Sequence, residues 1–306
     1  MYKNLHNLPL PFLPVYNERM EMQSDLCFFA SDLHGRLQRY ESLFNAILRD
    51  RPGLVILGGD LLPLHGFSNE WMGDFLTEFL VARFQSLRLA LKDQFPRVFL
   101  ILGNDDPRAE EPVILEAERD GLWDYLHNKC VGFRERLFFG YAFVPPTPFR
   151  LKDWERYDVS RYADPGCIEP PDGMHSTPVS EREVKHSTIE GDLRLLTGTQ
   201  DLTDAVFLFH TPPHDTKLDR AALDGKMIDH APLDVHVGSI AVRRFIEKRQ
   251  PLLTLHGHIH ESARITGSWK DRIGKTWMFS AAHDGPELAL VRFRLDALEQ
   301  ATRELV

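Results

Sequence analysis

Cysteine is scarce and scattered in this chain, with Cys27, Cys130 and Cys167 the only three. An odd and widely spaced set excludes a disulfide framework and fits a reducing compartment, so a cytoplasmic location is expected. Long apolar runs are missing as well. No stretch approaches the ~18 consecutive apolar residues that a membrane helix needs, and no membrane association is expected. The apolar stretch from Leu8 to Leu13 is broken by Pro9 and Pro11 and followed by Pro14. Without a basic region before it or a small-residue cleavage site after it, this stretch reads as an arm over residues 1–25 and not as a signal peptide. Excess positive charge is also absent. A formal net charge of -9 argues against bulk attraction of nucleic acid, although it leaves room for a local basic groove. Internal repeats and low-complexity tracts are lacking.

What is present is the composition of an ordinary globular protein, 43% hydrophobic and 26% charged, in a chain of 306 residues long enough to bury a full core. Five continuous apolar runs of strand length stand out: Leu26–Ala30, Leu54–Leu57, Val98–Leu102, Val206–Phe209 and Leu252–Leu255. Such runs are expected of strands buried on both faces. Between the first two, Leu37, Tyr40, Leu43, Phe44 and Ile47 recur at helical spacing and stop at Arg51-Pro52-Gly53, which completes a βαβ unit. In open α/β sheets ligands gather beyond the carboxyl ends of the strands. A short polar run follows each of the five strands there: Asp32-Leu33-His34, Gly59-Asp60, Gly103-Asn104-Asp105, His210-Thr211-Pro212-Pro213 and Gly257-His258-Ile259-His260.

Residue types alone make these runs a metal site. Asp60 carries two oxygens and is able to bridge two cations, while Asp32, Asn104, His34, His210, His258 and His260 supply the rest of two mixed nitrogen and oxygen shells. Donors of this kind suit manganese best among Mn, Fe, Zn and Ni, and do not discriminate sharply among them. In an extended segment, residues two apart such as His258 and His260 point the same way with backbones roughly 6.6 Å apart. That separation fits one imidazole on each of two metals about 3.5 to 4 Å apart. Each run by itself has a plainer reading: Asp32 as a helix cap, Gly59-Asp60 and Asn104-Asp105 as turns, His210 as a surface histidine. Their common placement and order make coincidence a poor account.

In that order and chemistry the chain resembles the calcineurin-like metallophosphoesterase superfamily, from about Asp32 to His260. The resemblance implies an α/β fold, a four-layer sandwich of two mixed β-sheets flanked by helices. It implies Asp32, His34 and His260 on a first metal, Asn104, His210 and His258 on a second, and Asp60 bridging. The chain departs from the pattern at Asp105, where many members carry a histidine that serves the leaving group. Asp105, His214 and His256 are therefore the candidate catalytic residues, and His283 is a further candidate for supporting the site. The expected activity is hydrolysis of a phosphate ester, a phosphodiester or small phosphorylated metabolite, by water activated on two divalent metal ions. A nuclease on the same framework and a non-catalytic scaffold of the same fold are the alternatives. The oligomeric state is left open.

Because the ligands span the chain, residues 26–306 are expected to form a single domain, with an insertion at about 145–200. That segment is rich in proline, from Pro145 to Pro178, and reads as a surface excursion or a loop near the site. Its Arg150, Lys152, Arg156 and Arg161, interleaved with Trp154, Tyr157 and Tyr162, are candidates for substrate choice, with a solvated charged surface as the competing reading. Residues 67–95, carrying Trp71, Phe75, Phe79, Leu80, Phe84 and Leu87, read as a packed helix.

Overall fold

A computed structural model of the chain describes residues 24–63 and 73–306. In chain order its strands are β1 Cys27–Ala30, β2 Leu54–Gly58, β3 Arg97–Ile101, β4 Asp124–Tyr125, β5 Lys129–Phe133, β6 Arg136–Tyr141, β7 Val206–Phe209, β8 Met227–Ile228, β9 Ala231–Pro232, β10 Leu253–His256, β11 Lys270–Ile273, β12 Thr276–Ser280, β13 Ala289–Phe293 and β14 Thr302–Leu305. The helices are α1 Leu37–Asp50, α2 Ala82–Leu91, α3 Glu111–Arg119, α4 Glu181–His186, α5 Ile189–Thr197, α6 Ile240–Arg249 and α7 Ser262–Thr266. Each of the five apolar runs anticipated as strands contains one, within a residue or two at the ends.

Two six-stranded sheets form, in the orders β14-β13-β1-β2-β3-β4 and β11-β12-β10-β7-β6-β5, and β8 and β9 make a separate hairpin. Both large sheets are mixed. The central strands β1, β2 and β3 run parallel, as do β6, β7, β10 and β12, while antiparallel partners close the edges at β13, β14, β11 and β5. The sheets pack face to face: Phe99 of β3 meets Phe133 and Phe138 of the other sheet with ring centres 6.0 and 5.1 Å apart. Period-two alternation then leaves the opposite faces to helices. On one side Tyr40 and Phe44 of α1 pack with Phe75, Phe79 and Phe84; on the other Phe245 of α6 packs on Phe207 of β7. The fold is thus two mixed sheets flanked by helices.

The helix expected over 67–95 begins, within the described residues, as a π-helical turn Phe75–Val81 that runs into α2. Trp71 lies outside the described residues, as does almost all of the arm expected over 1–25. The widened turn places Phe75, Leu76, Phe79 and Leu80 together in the core. The segment at 145–200 is not a surface excursion throughout. Trp154 is fully buried, and so are Lys152 and Glu155, whose ammonium and carboxylate lie 2.5 Å apart with both side chains sealed from solvent. No helix among the described residues is long and apolar enough to cross a membrane.

Candidate metal centre

The carboxyl ends of β1, β2 and β3 in one sheet and of β7 and β10 in the other open onto the same place, and the five polar runs meet there. Asp32, His34, Asp60 and His260 each bring a donor atom within 4.8 Å of the others, and Asp60, His210 and His258 do the same, so that Asp60 belongs to both groups. His260 Nε2 lies 3.2 Å from Asp32 Oδ1 and 3.1 Å from His34 Nε2. His210 Nε2 lies 3.1 Å from Asp60 Oδ2 and 3.1 Å from the amide oxygen of Asn104. The residues anticipated as ligands are therefore gathered at one site.

The backbone is bent to achieve this. Asp32, His34, Asp60 and His258 all have positive φ, from 48° to 73°, a region that costs a residue with a side chain about 1–2 kcal/mol. Such strain persists only where the surroundings over-determine it, and it collects at functional sites. Here the surroundings are backbone hydrogen bonds that zip the loop after β1 to the loop after β2: Asp32 N–H to Gly59 O at 2.9 Å, His34 N–H to Asp60 O at 2.8 Å and Gly35 N–H to Leu61 O at 2.9 Å. Close approach also demands glycine. A Cβ on Gly103 would strike the Asp60 carboxylate and come within 2.7 Å of His210 Nε2, and one on Gly257 would come within 2.7 Å of Asp32 Oδ2.

The electrostatics are those of a site built for a cation. Asp32 and Asp60 are buried. Burial works to raise both carboxyls, but the hydrogen bond and charge of His260 hold Asp32 far below the usual range, and His210 holds Asp60 at about 2. Burial works to lower His210 and His260, yet Asp60 raises the first to about 10 and Asp32 raises the second. Burial pushes His34 down to about 4 and His258 to about 3, so both are neutral and have lone pairs to give. Asp32 Oδ2 and His34 Nδ1 are buried without a hydrogen-bond partner. A buried carboxylate oxygen left bare is costly unless something positive sits on it. The bare oxygen and the two imidazole nitrogens 3.1 Å apart fit a divalent cation and have no account in an apolar core.

Asp105 stands beside the two groups. Its N–H donates to Asp60 Oδ1 at 2.8 Å, its Oδ1 accepts from Asn104 Nδ2 at 3.0 Å, and its Oδ2 lies 3.8 Å from His34 Nδ1. Burial, then the charges of Asp60 and Asp106, raise its carboxyl to about 8. By holding the Asn104 amide nitrogen, Asp105 turns the amide oxygen towards His210.

The other candidates fare differently. His256 is fully buried, with Nδ1 2.9 Å from Thr211 O and Nε2 2.7 Å from Thr254 Oγ1. Both ring nitrogens are hydrogen-bonded and burial lowers its pKa to about 3; the side chain links β10 to the His210 loop. His214 pairs with Asp234 at 3.1 Å outside the two donor groups, and His283 with Glu287 at 3.1 Å. Two of the four basic residues expected to choose substrate, Lys152 and Arg156, are paired with carboxylates within the protein. Lys152 is sealed against Glu155, and Arg156 is held by Asp192 at 2.5 Å and Glu183 at 2.7 Å.

Two residues that hold the site escape sequence reasoning. Asp106, wholly buried, accepts from Leu61 N, Leu62 N and Gly103 N at 3.1, 2.8 and 2.9 Å, stapling the loops of Asp60 and Asn104 together. Arg39 turns back from α1 to donate to the carbonyls of Asp32, His283, Gly285 and Pro286. Asp106 stands at the acid that closes the Gly103-Asn104-Asp105 run, but its bonds to Leu61 N and Leu62 N are not legible there, and Arg39 carries no signal in periodicity or motif.

Two mixed sheets between helices carry, at their carboxyl ends, a buried Asp and His cluster able to hold a metal ion. The chain belongs to the calcineurin-like phosphoesterase family, whose model matches residues 28–262. Among functionally curated proteins none is significantly similar. Among solved structures, TT1561 of Thermus thermophilus is 16% identical over 92% of this chain and 98% of its own, with a TM-score of 0.53. Another solved chain is 15% identical over 92% and 98%, with a TM-score of 0.55. At these identities the likeness speaks for the fold. Yfce, a phosphoesterase from E. coli, is 11% identical over 92% of this chain and 99% of its own, and its TM-score of 0.35 is too low to argue from.

Proposed function

We propose that this protein hydrolyses a phosphodiester or a small phosphorylated metabolite with two divalent cations, Mn being favoured over Fe, Zn and Ni. The observation that carries the reading is the sharing of Asp60 by both donor groups. Asp32, His34 and His260 would hold one cation, Asn104, His210 and His258 the other, and Asp60 both. When bound, a cation pair of this kind supplies Lewis-acid stabilisation of phosphoryl oxygens and lowers the pKa of a coordinated water towards neutrality. The chain's own part is to fix the donors. Asp105 orients the Asn104 amide, Gly58 O accepts from the Nδ1–H of His210 at 2.8 Å and so leaves Nε2 for the cation, and Asp106 keeps the Asp60 and Asn104 loops in register. Hydrogen bonding of one imidazole nitrogen to fix the ligating one is the usual device in metal sites.

A nuclease is the weaker reading, because Lys152 and Arg156 are bound within the protein and do not offer a track for a phosphate backbone. A non-catalytic scaffold would tolerate loss of ligands, and here every position is filled. Purification without chelators, elemental analysis, and a screen against p-nitrophenyl phosphate, its bis ester and a nucleotide panel test the proposal. Asp60→Ala is expected to abolish both turnover and most uptake of metal. Normal turnover in that variant would refute the bridging role.

A further inference from the structure

The segment at 145–200 touches the loops of the site at two points, and at both a carboxylate receives bare backbone N–H groups. Asp153, whose side chain is fully buried, accepts from Arg108 N at 2.8 Å and from Ser176 N at 2.9 Å, and is also bonded by the Ser176 hydroxyl. That hydroxyl in turn accepts from Ala109 N at 2.9 Å. Arg108 and Ala109 open the turn that follows Asn104-Asp105-Asp106-Pro107, and the residue before that turn provides no side-chain cap of its own. Asp158 does the same for α6: it accepts from Ser239 Oγ at 2.5 Å, Ile240 N at 2.7 Å and Ala241 N at 3.2 Å. Ser239 is bound in turn to the His210 loop, its N–H donating to Pro212 O at 2.8 Å and its carbonyl accepting from His214 N at 3.0 Å.

Both tethers thus lead to one half of the site, the half with Asn104 and His210. The hydrogen bonds of Asp153 and Asp158 among the described residues do not reach the loops of Asp32, His34 or His260. Resting on the two-cation reading, we propose that Asp153 and Asp158 are positioning residues for the cation held by Asn104, His210 and His258, and that the 145–200 segment clamps that position. The other cation position is set by the zipped loops after β1 and β2 and by Arg39, and is independent of the clamp. Partners hydrogen-bonded to ligands change metal affinity by about 10- to 100-fold when replaced, which bounds the effect of residues that act one step further out, through the ligands' loops.

Titration of the chelator-stripped full chain with Mn2+ alone, followed by calorimetry and electron paramagnetic resonance, reads both positions. The wild type is expected to take up two equivalents and to show the spin coupling of a close pair. Asp153→Asn and Asp158→Asn should each bind the first equivalent as the wild type does, bind the second more weakly by up to about 10- to 100-fold, and show the signal of isolated Mn2+ at one equivalent. Ser176→Ala, which removes the acceptor for Ala109 N–H and the hydroxyl bonded to Asp153 but leaves the Asp153 carboxylate, should show a smaller loss in the same equivalent, and it carries the test if the Asp variants do not fold. Adding Asn104→Ala to Asp158→Asn should weaken only that same second equivalent further, whereas adding His34→Ala should weaken both equivalents. Folded variants that bind two equivalents like the wild type, or that lose both equally, overturn the clamp while leaving the two-cation reading standing. A wild type that takes up no Mn2+ refutes that reading and the clamp with it.

Discussion

Replacing Asp105 separates two roles that its position permits. The carboxylate is 3.0 Å from the Asn104 amide nitrogen and 3.8 Å from His34 Nδ1, and its carboxyl is raised to about 8 by burial and by Asp60 and Asp106. A carboxyl at that value is able to hold a proton near neutrality and so to act as a proton donor; it is equally placed to do nothing but hold the amide. If it holds the amide, Asp105→Asn keeps an oxygen acceptor for Asn104 Nδ2 and loses at most whatever charge that hydrogen bond carries. Charged hydrogen bonds exceed neutral ones by about 1 kcal/mol, so turnover and Mn2+ affinity should each fall by no more than about tenfold. Asp105→Ala removes the acceptor altogether. The amide is then free to turn its oxygen away, and Mn2+ affinity at one position should fall by about 10- to 100-fold. Calorimetric Mn2+ titration beside steady-state kinetics on an aryl and an alkyl phosphate ester measures both effects. With positioning as the role, the two variants differ in metal binding and the ratio of aryl to alkyl turnover is unchanged. A fall of several orders of magnitude in Asp105→Asn with metal content intact, steepest on the alkyl ester, would show that Asp105 donates the proton and refute the argument.

Gly103→Ala should abolish binding of both cations, since the added methyl group strikes the Asp60 carboxylate and His210; uptake of two equivalents by the folded variant would show that the loop has room to move. Lys152→Met should destabilise the fold by about 3–5 kcal/mol by leaving Glu155 charged and buried. With an unfolding entropy of about 2.1 cal/mol/K per residue, that is a drop in Tm of roughly 5–8 °C for this chain, and Lys152→Met combined with Glu155→Leu should recover most of it; a Tm unchanged in the single variant contradicts the buried pair. Acid should weaken the fold through His127 and His256, which burial lowers from 6.5 to about 3. Above pH 6.5 neither the folded nor the unfolded chain protonates them and their contribution is complete. As pH falls from there towards 3 the unfolded chain takes up protons that the fold refuses, and stability is lost by about 1.4 kcal/mol per pH unit for each. Urea unfolding between pH 7 and 4 reads the slope, and a His127→Gln variant with the wild-type slope would remove His127 from the account.

The strands and the donors of the site were legible because both are local. A run such as Val206–Phe209 or Leu54–Leu57 is apolar because both faces of its strand are covered, and Asp32, Asp60, Asn104, His210, His258 and His260 follow such runs directly. The parallel βαβ start was legible for the same reason, from the spacing of Leu37, Tyr40, Leu43, Phe44 and Ile47. The π-helical turn at Phe75–Val81 was not, because a one-residue widening barely changes the apolar period. Nor was the 145–200 segment: its prolines announce irregular backbone but are silent on whether irregular backbone is buried. Lys152, which reads as a solvated cation, is sealed with Glu155 because Trp154 and its neighbours carry it inward.

The sequence by itself determined which residue types line the site and at which strand ends they stand, since a strand fixes its own carboxyl end and a motif its own donors. Only the tertiary structure decided that the ends of two different sheets meet, that Asp60 lies within reach of both donor groups, that His256 is spent on Thr211 and Thr254, and that Asp106, Arg39, Asp153 and Asp158 hold the loops. Those four side chains bond chiefly to backbone N–H and C=O groups. Every residue but proline offers the same backbone groups, so no pattern of side chains along the chain records the pairing.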